Sequence, residues 1–201
     1  MATVLLARHG ETAWNRNGRV QGWVPTGLTA RGRREAEALA ERVDRRYDPD
    51  RLIASDLRRA RATAERVAAT TGLAVAVDER WRERNWGRLR GRRADEVYER
   101  FPRFSVAKGT PGDGMAARPP GGESIERTRA RVLDAWEDLR ADLAPDATAV
   151  VLTHAVPIAL VRAAVMGRDP AAAMLDGDRG TGTFHELDVD GRTARNGGVP
   201  G

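Results

Sequence analysis

Short apolar runs recur along the chain, and their composition predicts buried β-strands. The two clearest runs are 3–7 and 149–153, each with four apolar side chains among five residues. Further strands are predicted at 51–54, 73–77 and 183–189. Runs that are apolar throughout, rather than alternately apolar and polar, are typical of strands that are covered on both faces of a sheet.

Longer segments between these runs have the apolar spacing of amphipathic helices. In residues 30–46, apolar Ala36, Leu39 and Val43 fall on one helical face, and Thr29 can cap the helix at its start. The same kind of pattern predicts further helices at about 55–70, 92–101, 124–143 and 157–166.

The alternation of strands and helices predicts an α/β fold, a three-layer α/β/α sandwich with a mostly parallel central sheet. No linker divides the 201 residues, of which 41% are hydrophobic, so we expect a single domain over 1–201. Residues 102–122 are rich in proline and glycine and predict a long loop. The Gly-rich end, from about 191 to 201, predicts a flexible tail.

Two predicted strands each deliver a histidine at the carboxyl end. Arg8, His9 and Gly10 follow the first apolar run, and His154 follows the other clear run. In open α/β sheets, ligands bind just beyond the carboxyl ends of the strands. A cation and two imidazoles at this edge predict a site for an anionic substrate. His185 lies inside a predicted strand, and we interpret it as a structural histidine.

A third strand end carries arginine. The strand predicted at 51–54 leads into Ser55-Asp56-Leu57-Arg58-Arg59-Ala60, which begins a helical segment. The planar guanidinium group donates bidentate hydrogen bonds to phosphate and keeps its charge at working pH. An arginine in this first turn is therefore expected to bind phosphate, with Arg58 and Arg59 as the two candidates.

Together these residues resemble the histidine phosphatase superfamily, the phosphoglycerate mutase-like proteins, whose hallmark is Arg-His-Gly near the N-terminus with a second histidine far downstream. The resemblance extends along nearly the whole chain, in blocks that follow the family's order. The blocks are Arg8-His9-Gly10-Glu11-Thr12-Ala13-Trp14-Asn15, Arg19-Val20-Gln21-Gly22, Leu28-Thr29 with Gly32, the segment 55–64, Glu83 with Gly87 and Gly91, Pro120-Gly121-Gly122-Glu123-Ser124, and Thr153-His154.

The resemblance implies catalytic roles for five residues. It makes His9 the nucleophile that takes the phosphoryl group, because a neutral imidazole is a competent nucleophile near neutral pH. It places Arg8, Arg59 and His154 in a cationic pocket around that histidine. It makes Glu83 the general acid and base, which protonates the leaving oxygen and then activates water. The alternative for this carboxylate is a surface ion pair with a neighbouring arginine.

The resemblance also implies a set of weaker ligands for phosphate oxygens. Asn15, Thr12 and Gln21 lie on the loop after the first strand, although the Thr12 hydroxyl is also suited to holding the loop backbone. Gly22 offers a backbone amide. Ala155 stands where the family has glycine, so its amide can bind an oxygen only if its φ is negative.

Phosphatase and mutase are the two activities that the resemblance allows. A mutase must keep water from the phosphorylated histidine, and the glycolytic mutases of the family have a larger insertion and a longer tail than this chain. We therefore expect a metal-independent phosphomonoesterase that acts on small phosphorylated metabolites, with loop 102–122 covering the substrate. A phosphoglycerate-type phosphomutase is the alternative, and a catalytically silent protein that binds phosphorylated ligands is a third hypothesis.

Composition excludes several other kinds of site. The absence of cysteine excludes disulfides, thiolate metal sites and a cysteine nucleophile. His9 and His154 lack partner ligands at metal-binding spacing, so we expect no metal and no cofactor. The N-terminus lacks a basic segment before its apolar run, and no apolar stretch approaches the length of a membrane span. We therefore expect a cytoplasmic protein without membrane contact.

The net charge of +5 raises the alternative of a nucleic-acid-binding protein. The densest basic stretch is 80–93, where Trp81 and Trp86 would serve as stacking platforms. Most arginines, however, are balanced by nearby acidic residues along predicted helices, and Glu83 already belongs to the phosphatase pattern. We expect no nucleic-acid partner. The apolar positions of the helices fit a monomer and a homodimer equally well.

Overall fold

The computed structural model describes residues 1–106, 113–176, 180–189 and 194–197. The strands are β1 Thr3–Arg8, β2 Arg51–Ala54, β3 Val75–Val77, β4 Thr148–Thr153, β5 Phe184–Asp188 and β6 Ala194–Gly197. The helices are α1 Ala13–Arg16, α2 Ala30–Arg46, α3 Arg58–Thr71, α4 Ala94–Arg100, α5 Asp113–Ala116, α6 Ile125–Asp142, α7 Ala155–Val165 and α8 Pro170–Asp176. Single 3₁₀ turns lie at Glu79–Trp81, Gly87–Leu89 and Pro102–Phe104.

The six strands form one sheet in the order β3-β2-β4-β1-β5-β6. Strands β1 to β4 are mutually parallel, whereas β5 pairs antiparallel to β1 and β6 antiparallel to β5. The predicted α/β fold with a mostly parallel central sheet is thereby confirmed. The two central strands, β1 and β4, are in register from Thr3 with Thr148 to Arg8 with Thr153, so both end at the same level.

Successive side chains of β1 pack on opposite faces of the sheet. Val4 and Leu6 pack in a cluster with residues of α6 and α7, while Leu5 and Ala7 pack in another with residues of α2 and α3. All four are fully buried. Because each face of the sheet is covered by helices, successive positions in the middle of the strand must all be apolar, which explains the continuous run at 4–7 in the sequence.

The predicted elements are present with slightly shifted ends, and several local features differ from the sequence prediction. Helices α1 and α8 were not predicted, and part of the long loop folds as the turn Pro102–Phe104 and helix α5. Residues 107–112 of that loop lie outside the described residues. Within the tail predicted to be flexible, Ala194–Gly197 pairs with β5 as a strand, because the open edge of the sheet offers backbone hydrogen bonds.

Within the part of the chain that the structure describes, none of the helices combines the length and the apolar character needed to cross a bilayer.

Candidate active site

The two motif histidines meet beyond the carboxyl ends of β1 and β4. The His9 backbone amide donates to the Thr153 carbonyl at 3.2 Å, which extends the pairing of the two strands by one residue. The imidazole rings of His9 and His154 lie 5.1 Å apart between centroids and are tilted by 58°. Both rings are buried, at 2% and 0% exposure. The sheet order therefore produces the pairing that the two strand ends predicted.

Hydrogen bonds define the tautomer of His9. Nδ1 lies 2.8 Å from the Gly10 carbonyl oxygen, which can only accept, so Nδ1 carries the proton. Nε2 is then unprotonated and accepts from Arg59 Nε at 3.1 Å. Burial, followed by the charges of Arg59 and Arg8, lowers the pKa of His9 well below its usual 6.5. The ring is neutral at neutral pH and holds its lone pair on Nε2.

Arg59, rather than Arg58, is the arginine of the site. Its guanidinium is buried beside His9, whereas Arg58 is exposed on the first turn of the same helix. Arg59 also donates to the Gly22 carbonyl at 2.9 Å and the Val24 carbonyl at 3.2 Å. Burial lowers its pKa to about 10, so the group stays charged at neutral pH. The sequence left open which of the two adjacent arginines belongs to the site. The structure shows that it is Arg59, whose side chain turns inward.

His154 differs from its expected role in the cationic pocket. Burial, and then the charge of Arg59, lower the pKa of His154 well below 6.5, so the ring is neutral in the free protein. Its Nε2 lies 2.9 Å from Ser55 Oγ, and its buried Nδ1 has no hydrogen-bond partner among the described residues. The positive charge of the site therefore comes from Arg8 and Arg59.

The Glu83 carboxylate lies between its own loop and the start of α7. Oε1 accepts from the Arg84 amide at 2.7 Å, and Oε2 accepts from the Val156 amide at 3.5 Å. Arg82 pairs instead with Asp56, and the Arg84 side chain donates to three backbone carbonyls. The alternative of a surface ion pair with a neighbouring arginine is therefore wrong, because both of those side chains are engaged elsewhere.

Buried polar contacts hold the backbone around Glu83. Arg131 of α6 donates to the carbonyls of Arg82 at 2.7 Å and of Glu83 at 2.9 Å. It also pairs with Glu123 at 2.9 Å, and that carboxylate accepts from the Asn85 amide at 3.0 Å. These two residues connect helix α6 and the Gly-Gly-Glu-Ser segment to the loop that carries Glu83.

Among the weaker candidates for phosphate binding, some residues line the cavity and one does not. Asn15 and Gln21 line it, whereas Thr12 is not among the lining residues and is fully buried. The Thr12 hydroxyl accepts from the Asn15 amide at 3.2 Å and lies 3.0 Å from Gln21 Oε1. Asn15 Oδ1 in turn accepts from the Thr12 amide at 3.1 Å, which completes a capping box at α1. Thr12 thus organises the loop and does not contact the cavity.

Gly22 and Ala155 both line the cavity. Gly22 has φ +54°, which favours glycine, and in the free protein it offers its carbonyl to Arg59. Ala155 is the first residue of α7 and has no positive φ, so the backbone condition for an oxygen-binding amide is met.

Gly10 lies where two segments of backbone pack in direct contact. A Cβ atom at Gly10 would lie 2.2 Å from the Gly32 carbonyl oxygen, and one at Gly32 would lie 2.1 Å from the Glu11 carbonyl oxygen. The first turn of α2 therefore packs directly on the backbone that follows His9. No side chain fits between them.

A cavity of about 410 Å³ opens on these residues. Arg8, His9, Arg59 and Glu83 line it together. Many lining residues were not predicted as site residues, because most of them come from segments that the family motifs do not mark. They include Trp14, Arg19, Val20, Trp86, Ala94, Tyr98, Phe104, Ser105, Val106, Ile125, Val156, Ile158, Ala159, Arg162, Met174 and Leu175. Phe104, Ser105 and Val106 belong to the loop 102–122 that was expected to cover the substrate.

Metal-ligand residue types are not grouped in the described ranges: no set of three His, Asp or Glu side chains there is arranged to hold an ion.

The sequence of this chain is similar to that of one known protein family. A sequence model of the histidine phosphatase superfamily (branch 1) matches residues 4–195. The chain is 35% identical over 175 residues to a probable phosphoglycerate mutase GpmB of Shigella boydii, covering 86% of this chain and 79% of that protein. It is 36% identical over 169 residues to the protein of the same description in Escherichia coli, covering 83% and 76%.

Similar solved structures include proteins that are described as phosphatases. A mycobacterial glucosyl-3-phosphoglycerate phosphatase complexed with VO3 superposes with a TM-score of 0.78 at 31% identity, covering 92% of each chain. A putative alpha-ribazole-5'-P phosphatase from Escherichia coli superposes with a TM-score of 0.81 at 26% identity, covering 97% of this chain and 94% of that chain.

Proposed function

The chain belongs to the histidine phosphatase superfamily (branch 1), and on that premise we propose that it hydrolyses small phosphate monoesters through a phosphohistidine on His9. Phosphatases and mutases of this superfamily share phosphoryl transfer, and the proposal concerns which acceptor takes the group. Hydrolysis requires water as the final acceptor.

The main support for the proposal is the protonation and the position of the His9 imidazole. Its proton is on Nδ1, its lone pair is on Nε2, and that atom lies 3.1 Å from a guanidinium nitrogen of Arg59. A nucleophile of this kind sits where Arg8 and Arg59 would hold the non-bridging oxygens of a phosphate. A neutral imidazole between two guanidinium groups fits attack on a dianionic phosphorus centre.

In the first step, His9 Nε2 forms a bond to phosphorus while the bond from phosphorus to the ester oxygen breaks. Glu83, in its protonated form, gives its proton to that leaving oxygen, and the alcohol departs. In the second step, water attacks phosphorus, Glu83 takes the proton of the water, and the bond to Nε2 breaks. Inorganic phosphate leaves and both residues return to their starting states.

Two observations favour a phosphatase over a mutase. The similar solved structures described above are named phosphatases, and the cavity wall is largely apolar, which suits a substrate less polar than phosphoglycerate. The names of the curated relatives favour the second candidate, a phosphoglycerate-type mutase.

The experiment measures release of 4-nitrophenol and of inorganic phosphate from 4-nitrophenyl phosphate in the presence of EDTA. We expect turnover that EDTA leaves unchanged and that His9→Ala abolishes, because no other residue can accept the phosphoryl group in this mechanism. In parallel, incubation with 3-phosphoglycerate tests the second candidate, because a mutase would form 2-phosphoglycerate and a phosphatase would not. Turnover retained by His9→Ala would refute the proposal.

A further inference from the structure

The cavity is walled by two small hydrophobic clusters that lie apart from the core of the sheet. The first includes Val20, Trp86 and Phe104, with Ala94 and Tyr98 packed against it. All five of these residues line the cavity. They come from three separate segments of the chain, so this wall exists only in the folded protein.

A second hydrophobic cluster lines the same cavity. It includes Ile125, Ala159 and Met174, with Val106 and Val156 packed against it, and all five line the cavity. Two apolar clusters therefore face a common space that is open to solvent and continuous with the catalytic residues. Apolar side chains around such a space are stabilised when a ligand removes them from water.

Helix α7 sets the length of this space. Ala155, Ile158, Ala159 and Arg162 line the cavity, and their spacing places them on one face of the helix. From the first to the last of them the helix axis rises by roughly 10 Å. The cavity therefore extends about two helical turns away from the second histidine. Leu175, which is 47% exposed, adds an apolar side chain to the lining.

Two arginines, Arg19 and Arg162, line the cavity beside the apolar clusters. Arg19 is exposed, and it donates to the Gly91 carbonyl at 2.5 Å. Arg162 presents an alkyl stem as well as a charge. The phosphate needs only the cationic end at Arg8, His9 and Arg59, which leaves most of the 410 Å³ for the rest of the substrate.

We propose that the ester group of the natural substrate is bulky and mainly apolar, an aromatic or comparably large alcohol that fills the space between the two clusters. The inference rests on the proposed phosphatase function and names the substrate class of the same site. A glycerate ester would leave both apolar walls in contact with water. It would also place its carboxylate and hydroxyl groups against apolar side chains, which is unfavourable.

The test compares phosphates of primary alcohols with similar leaving-group chemistry: ethyl, 2-phenylethyl and 2-(1-naphthyl)ethyl phosphate, with 3-phosphoglycerate alongside. Release of inorganic phosphate gives kcat/KM for each. We expect kcat/KM to rise from ethyl to naphthylethyl phosphate by about tenfold or more, because the added apolar surface is buried. Both ethyl phosphate and 3-phosphoglycerate should be poor substrates.

A pair of variants on α7 tests whether the preference for bulky apolar esters arises in this part of the cavity. Ala159→Trp fills the space, so we expect the ratio of kcat/KM for naphthylethyl phosphate to that for ethyl phosphate to fall about tenfold or more. Ala164→Trp adds the same side chain on the exposed face of the helix and should leave that ratio unchanged. Ala159→Leu, a smaller change, provides the same test if the tryptophan variant does not fold.

Several results would overturn the inference in different ways. If ethyl phosphate or 3-phosphoglycerate is hydrolysed as well as naphthylethyl phosphate, or if Ala159→Trp and Ala159→Leu leave the ratio intact, the bulky apolar class is wrong while the phosphatase function stands. If only 4-nitrophenyl phosphate is hydrolysed, this inference fails and the phosphatase function stands. If neither that compound nor any of the esters releases phosphate, the proposed function fails and this inference fails with it.

Discussion

At the residue scale, the chemistry depends on which nitrogen of His9 carries the proton. The place of this histidine after a buried strand predicted that it lies at the site, the family resemblance implied that it is the nucleophile, and the structure brings it next to Arg59 and His154. The sequence could not predict the tautomer, because that depends on the Gly10 carbonyl turning towards Nδ1. It also could not predict that burial keeps His154 neutral.

Adjacent arginines provide a matched test of the phosphate pocket. Arg59→Gln should lower kcat/KM for 4-nitrophenyl phosphate by about 100-fold or more, because it removes a charged donor from the reacting phosphate. Arg58→Gln changes the neighbouring exposed arginine and should stay within about twofold of the parent, since exposed charges are screened. Steady-state kinetics on both variants, with thermal unfolding to confirm that each folds, check the difference. Equal losses would contradict the assignment of Arg59.

At the element scale, the site is built by helices that anchor loops. The first turn of α2 packs on the backbone after His9 through Gly32, and α6 holds the Glu83 segment through Arg131. The sequence predicted both helices from their apolar periodicity. It did not predict these contacts, because Arg131 lies on a helix with many arginines and only its position relative to the loop distinguishes it.

Arg131 tests whether the Glu83 loop must be held in place. We expect Arg131→Met to lower kcat by about 10- to 100-fold with a smaller change in KM, because the backbone around the acid/base residue loses its donors and shifts. Arg129→Met, an exposed residue of the same helix, serves as the control. An unchanged kcat in a folded Arg131→Met protein would show that the loop keeps its position without these bonds.

At the scale of the whole molecule, the strand order makes the site. Placing β4 beside β1 brings together two histidines that are 145 positions apart in the sequence. Strand composition and alternation were enough to predict the layered α/β fold and the site at the strand ends. They were not enough to predict the cavity, because its walls combine residues such as Val20, Trp86 and Phe104 that share no periodicity.

The two buried histidines also affect global stability. The folded-state pKa values of His9 and His154 are lowered, so as pH falls below about 6.5 the unfolded chain takes up these protons first. The free energy of unfolding should therefore decrease from about pH 7 to pH 5, by up to about 1.4 kcal/mol per pH unit for each histidine. Stability contributed by a neutral buried imidazole is thus present above the unfolded pKa and lost below it.

Denaturant unfolding at a series of pH values checks this prediction. The variants His9→Asn and His154→Asn should each reduce the slope between about pH 6.5 and 5, and the double variant should reduce it further. A stability that does not change with pH in the parent protein over this range would mean that the two rings are not held neutral.

Mass spectrometry of the enzyme trapped during turnover tests directly whether His9 carries the phosphoryl group. The protein is mixed with excess 4-nitrophenyl phosphate, denatured in alkali, where phosphohistidine survives, and digested for peptide analysis. A phosphohistidine intermediate predicts the added mass of one phosphoryl group on the peptide that contains His9, and its absence after the same treatment of His9→Ala. Rapid release of 4-nitrophenol with a phosphoryl group on a different residue would contradict it.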